Sequence, residues 1–132
     1  MNESLVRILP EGAPEPLGPY TPAIRIGSML HTSGQIGLED DGSLSGNVSA
    51  ETKRALSNLG DLLRAGGASP ATVVKTTIYL IDMADFAVVN EIYGAFFDDA
   101  RPARSTVEVA GLPKGALVEI EAVALCTDSA AS

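Results

Sequence analysis

The chain predicts an α+β fold in which two helices cover one face of a β-sheet, on three observations. ATVVKTTIYLI (71–81) is rich in β-branched residues and bounded by Ser69-Pro70 and Asp82, which marks a strand. Ala55, Leu56, Leu59, Leu62 and Leu63 recur at helical spacing and form a stripe that needs a sheet to cover. ARSTVEVA (103–110) and ALVEIEAVALC (116–126) alternate apolar with polar residues, as half-buried strands do.

The elements follow in order. Residues 10–22, PEGAPEPLGPYTP, hold five of the eight prolines, so 1–22 reads as an extended proline-rich arm. AIRIG (23–27) and MLHTSGQIG (29–37), joined by Gly27-Ser28, read as a β-hairpin. Residues 38–48 are rich in Gly, Asp and Ser and read as a loop. Ser49 is the expected cap of the first helix, with Glu51 in its first turn and Gly66-Gly67 at its end. A second helix is expected from about Ala84 to Asp98, capped by Asp82, with Phe86, Val89, Tyr93 and Phe96 as its apolar set.

In the first C-terminal strand, Ser105, Val107 and Val109 are expected toward the core and Arg104, Thr106 and Glu108 away from it. In the second, Val118, Ile120, Ala122 and Ala124 face the core, and Glu119 and Glu121 face away. The GLPKG loop between them suits antiparallel neighbours. The order is ββαβαββ with both helices on one face, and the opposite face, half polar and half apolar, reads as an assembly surface. The 132 residues suit a single domain, 1–132, with a flexible tail at 127–132.

Composition narrows the function. With 45% hydrophobic and 20% charged residues and a mean hydropathy of +0.19, the chain reads as an ordinary globular protein. A net charge of −8 repels phosphate backbones, and the absence of tryptophan leaves little for stacking bases, so nucleic acid is a disfavoured partner. No apolar run reaches signal-peptide or membrane-spanning length, so a cytoplasmic protein without membrane association is expected. One cysteine, Cys126, and one histidine, His31, make neither a disulfide nor a soft-ligand zinc site, so no metal is expected. The sequons at Asn2 and Asn47 are set aside for want of a secretory route.

For chemistry, Arg104 and Glu119 stand out. On neighbouring strands with matching faces they would point into one cleft, where a guanidinium binds a carboxylate and a glutamate directs water. An ordinary cross-strand ion pair explains the same spacing. Glu108 and Glu121 read as solvated or paired charges. His31 has no acidic partner at a recognisable spacing, and Ser33 lacks a GxSxG elbow. Asn90 reads as solvent-facing, Tyr20 as packing in the arm, and Cys126 as buried and inert.

GPY (18–20), TSGQIG (32–37), VVKTTIYL (73–80), VNEIYGAFF (89–97), PARSTVEVAGLP (102–113) and VEIEAVA (118–124) resemble the RidA (YjgF) family of reactive-intermediate deaminases. The resemblance spans nearly the whole chain. It implies a chorismate-mutase-like α+β fold and a homotrimer whose sheets meet around a barrel-like core, with sites between subunits. Arg104 would bind the substrate carboxylate and Glu119 would position the attacking water. Tyr20, Ser33, Gly34, Asn90 and Thr106 would line the pocket. Archetypal members carry a cysteine where this chain has Thr106, so a thiol is not essential here, and backbone groups at Thr106 remain available to the ligand. The implied activity is that of a 2-iminobutanoate/2-iminopropanoate deaminase, a cofactor-independent hydrolase taking a small imino acid to a keto acid. The alternatives are a pathway-specific deaminase of an aminomuconate-like substrate and a non-catalytic keto-acid-binding or chaperone-like trimer. The ribonuclease activity attributed to some relatives conflicts with the charge and ranks last.

Overall fold

Local sequence signals set eight regular elements in the computed structural model, which describes residues 4–13 and 15–127. The first is a short strand, β1 (Leu5–Ile8), inside the segment expected to be only an arm. LVRI is apolar enough to add to a free strand edge, and the prolines begin only at Pro10. Most of it is exposed, so it carries no core periodicity by which the sequence would reveal it. The element order is therefore ββαβαββ preceded by one edge strand. The part of the expected tail at 128–132 lies outside the described residues.

Strands β2 (Ala23–Ile26) and β3 (Met29–Thr32) form the expected hairpin. Gly27 has φ +58, a conformation that favours glycine. Helix α1 (Val48–Ala65) starts ahead of the expected Ser49 cap, because Val48 packs against the core and Asn47 does the capping. The Asn47 side chain accepts the Ala50 N–H at 2.8 Å. Glu51 is buried, and its Oε1 accepts the Leu117 N–H at 2.9 Å. At the far end, Gly67 has φ +92, while at Gly66 a Cβ would stand 2.6 Å from Leu30 Cδ1. The two glycines thus serve different needs, a left-handed turn and a close approach.

Strand β4 (Val73–Leu80) is followed by a 3₁₀ turn, Met83–Asp85, where the Asp82 side chain accepts the Ala84 N–H, and then by helix α2 (Phe86–Phe97). Strands β5 (Ala103–Glu108) and β6 (Val118–Leu125) complete the chain. The sheet order is β1-β2-β3-β6-β4-β5, with β4 and β5 parallel and the other pairs antiparallel. The expectation that β5 and β6 are neighbours is therefore wrong. The GLPKG connection carries the chain past β4, and β6 inserts between β3 and β4. Both neighbours of β6 are antiparallel to it, β4 along most of its length and β3 at its C-terminal end, where Met29–His31 align with Leu125–Val123.

Both helices lie on one face. Leu56, Leu59 and Leu63 of α1 and Val89, Tyr93 and Phe97 of α2 pack with Leu30, Ile78, Leu80, Val118 and Ile120 of the sheet. Each buried side chain of this size contributes about 1.5–3 kcal/mol relative to exposure. The opposite face carries Lys75, Thr77 and Tyr79 of β4, and Glu119, Glu121, Val123 and Leu125 of β6. Leu5, Ile26, Val107 and Leu125 on this face are exposed large hydrophobics. Among the described residues no helix is long and apolar enough to cross a membrane.

Candidate active site

Strand β5 is the last in the sheet, and its register decides where Arg104 points. Arg104 aligns with Thr76 and Thr106 with Ile78, and both β4 residues are buried under the helices. Cross-strand partners share a face, so Arg104, Thr106 and Glu108 lie on the helix side. This reverses the facing expected from the sequence. Ser105 and Val107 instead lie on the open side and are exposed. Glu108, aligned with Leu80, accepts the Met83 N–H through Oε1 at 2.7 Å.

The Arg104 guanidinium carbon sits 4.9 Å from the centre of the Tyr93 ring and 5.5 Å from that of Phe86. Among the described residues it has no carboxylate partner. Asn90 follows Phe86 by four residues and precedes Tyr93 by three, so it shares their face of α2 and is half-buried. The Thr106 hydroxyl is buried without a hydrogen-bond partner among the described residues. Arg104 and Thr106 thus share the helix side of β5, and Asn90 lies on the face of α2 that carries the two rings under Arg104.

The second group surrounds Glu119. This residue aligns with Tyr79 on the open face. Burial raises its carboxyl above the ordinary glutamate range, and the charge of Glu121 adds to the effect. The carboxylate rests against Gly34: a Cβ at that position would meet Glu119 Oε2 at 1.9 Å and Cδ at 2.6 Å. Gln35 fixes the approach by exchanging backbone hydrogen bonds of 2.8 and 3.0 Å with Ile120. Ser33 is held by its hydroxyl donating to Thr21 O at 2.7 Å and its N–H donating to Pro22 O at 2.7 Å. Tyr20, whose hydroxyl accepts the Leu17 N–H at 3.1 Å, and Gly34 both line a cavity of about 530 Å³ between the described residues of the proline-rich segment and α1. That cavity includes neither Arg104 nor Glu119.

One chain therefore does not bring Arg104 and Glu119 into a shared cleft. Strand β4 separates β5 from β6, and the two side chains leave opposite faces of the sheet. They are not a cross-strand ion pair either. His31 is exposed on the open face opposite Val123, and Cys126 is buried, with its thiol 3.4 Å from Gly66 O. Sequence reasoning missed Phe86 and Tyr93 as partners of Arg104. Their helical spacing marked them as core residues, and only the β4–β5 register brings the arginine over them.

Residues 10–126 match the family described as Endoribonuclease L-PSP. The chain belongs to this family, that of RidA (YjgF). A RutC family protein of Synechocystis sp. is 51% identical over 117 residues, covering 86% of this chain and 90% of its own. The human protein named 2-iminobutanoate/2-iminopropanoate deaminase is 46% identical over 115 residues, covering 86% of this chain and 84% of its own. Among solved structures, RidA from the Antarctic bacterium Psychrobacter sp. PAMC 21119 superposes with a TM-score of 0.88 at 36% identity, covering 91% of this chain and 98% of its own. In this RidA-family chain the two residue groups offer complementary chemistry. One presents a cation without a counter-charge among the described residues, and the other a carboxyl whose proton affinity burial has raised.

Proposed function

We propose that this protein hydrolyses small imines and enamines bearing a carboxylate, giving 2-keto acids and ammonia. The observation that carries the reading is Arg104, a half-buried guanidinium stacked on two rings with no carboxylate partner among the described residues. Such a cation is suited to bidentate capture of a substrate carboxylate. The relatives named as 2-iminobutanoate/2-iminopropanoate deaminases support the same reaction class.

The enamine tautomerises to the imine, and water adds to the C=N carbon. Glu119 takes a proton from that water and returns it to nitrogen, and loss of ammonia leaves the keto acid. A carboxyl with raised proton affinity suits both transfers. The imine carbon is already electrophilic, so the protein chiefly supplies orientation and charge. Asn90 and the backbone at Thr106 flank the carboxylate, while Tyr20, Ser33 and Gly34 shape the water side.

Because the two groups leave opposite faces of one sheet, the working site is assembled from two copies of the chain. Arg104, Thr106 and Asn90 come from one, and Tyr20, Ser33, Gly34 and Glu119 from the next. The exposed hydrophobics of the open face and the free edge of β5 provide contact surface, and a homotrimer closes such head-to-tail contacts into a ring. The charge of −8 argues against RNA as substrate.

The test uses 2-aminoacrylate generated in the assay. Arg104→Ala is expected to lower kcat/KM at least about a hundredfold, on the order of 3 kcal/mol. Arg104→Ala and Glu119→Gln subunits, each inactive alone, should regain activity when unfolded together and refolded, since roughly a quarter of mixed sites then receive both intact residues. Unchanged turnover in Arg104→Ala would refute the anchor. Absence of complementation in the mixture would refute the shared site.

A further inference from the structure

We propose that Tyr93 and Phe86 are positioning residues for Arg104, holding its guanidinium by the ring faces so that its N–H groups stay available to the substrate carboxylate. The inference rests on the reading of Arg104 as the carboxylate anchor.

An arginine side chain has many rotamers to lose, and one without a counter-charge needs another restraint to stand in a single place. A carboxylate would restrain it but would occupy the same N–H groups that the ligand needs. An aromatic face does not compete, because it attracts the flat face of the cation and leaves the hydrogen-bonding edge open. Here two rings serve, at 4.9 Å and 5.5 Å from the guanidinium carbon.

The Tyr93 ring is itself fixed. Its hydroxyl and the Thr76 hydroxyl, both buried, are 2.6 Å apart. On another side the ring packs against Phe97, with centroids 4.6 Å apart and planes tilted by 47°. Phe97 is in turn braced edge-on by Phe96 at 4.9 Å. A phenylalanine and a valine would fill the places of Tyr93 and Thr76 without burying any hydroxyl. The hydroxyl pair adds an anchor for the ring, and the ring lies under the one cationic side chain of β5. Phe86 is the outer support, 37% exposed at the start of α2.

The test measures binding of 2-oxobutanoate and of its neutral analogue 2-oxobutanamide to the full protein, with thermal unfolding of each variant as control. Tyr93→Leu, which removes the ring, is expected to weaken 2-oxobutanoate binding about tenfold and the amide by less than about threefold. Tyr93→Phe, which keeps the ring, should recover the affinity to within about threefold of the parent. Phe86→Leu, at a half-exposed position that does not endanger folding, should weaken the acid about threefold and spare the amide. Parent-like affinity for the acid in Tyr93→Leu, or in Phe86→Leu should the former not fold, would overturn the proposal. Equal weakening of acid and amide would also overturn it, as the mark of a merely structural role. Arg104→Ala is run alongside. If it binds 2-oxobutanoate as the parent does, the anchor reading itself fails, whereas loss of binding there with no effect at Tyr93 and Phe86 condemns only the positioning role.

Discussion

Gly34→Ala isolates the placement of the Glu119 carboxylate. The added Cβ would stand 1.9 Å from Oε2, 2.6 Å from Cδ and 2.7 Å from Cγ of Glu119. Ordinary contact begins near 3.4 Å, so the carboxylate must retreat by about 1.5 Å, the difference between 3.4 and 1.9. The intruded group is the end of a flexible side chain, and an off-rotamer excursion costs about 0.5–1.5 kcal/mol, so the fold should survive. Catalysis should not. A misplacement near 1 Å can cost on the order of a hundredfold, and loss of a general base about 10²- to 10⁴-fold. Gly34→Ala is therefore expected to lower kcat on 2-aminoacrylate at least about a hundredfold, with melting close to the parent's. Glu119→Gln should do the same. Placing Gly34→Ala on Glu119→Gln should cost little more, because the methyl then displaces a group that no longer acts. A Gly34→Ala enzyme with parental kcat, or a double variant whose losses multiply, would refute the reasoning that glycine is required there to seat the carboxylate.

Two further predictions concern stability. Burial, then the Glu121 charge, raises the Glu119 carboxyl above its unfolded value, so the folded state disfavours ionisation. The stability this group contributes is present below the ordinary glutamate range and is lost as pH rises through the raised value. Glu119→Gln should therefore melt with the parent in acid and above it near neutrality, and a gap that stays constant with pH in calorimetry contradicts the shift. At the start of α1, Asn47→Ala should cost about 1 kcal/mol in urea unfolding, while Ser49→Ala should stay within about 0.5 kcal/mol. The reverse ranking would place the cap where the sequence first put it.

Sequence alone identified most elements and the residues worth suspecting. The leucine stripe of α1, the β-branched run of β4 and the alternation of β6 are local patterns, and local patterns set local structure. The PARS and EIEA blocks likewise marked Arg104 and Glu119, and the facing of Glu119 was legible because β6 alternates large apolar residues against glutamates. β1 escaped notice because it is four residues long and mostly exposed.

Tertiary structure decided the rest. A period of two states that neighbouring residues in a strand point apart, but not which of them meets the helices; that sign comes from the partner strand. For β5 the partner is β4, whose Thr76 and Ile78 are buried, and this turned Arg104 and Thr106 to the helix side and set Arg104 over the aromatic rings of α2. The insertion of β6 between β3 and β4 is equally non-local, since strand order depends on which long-range pairings bury the most surface. The residues of the site were thus written in the sequence, while their division between two faces of the sheet, and the rings that hold the arginine, came from register and strand order that no short stretch encodes.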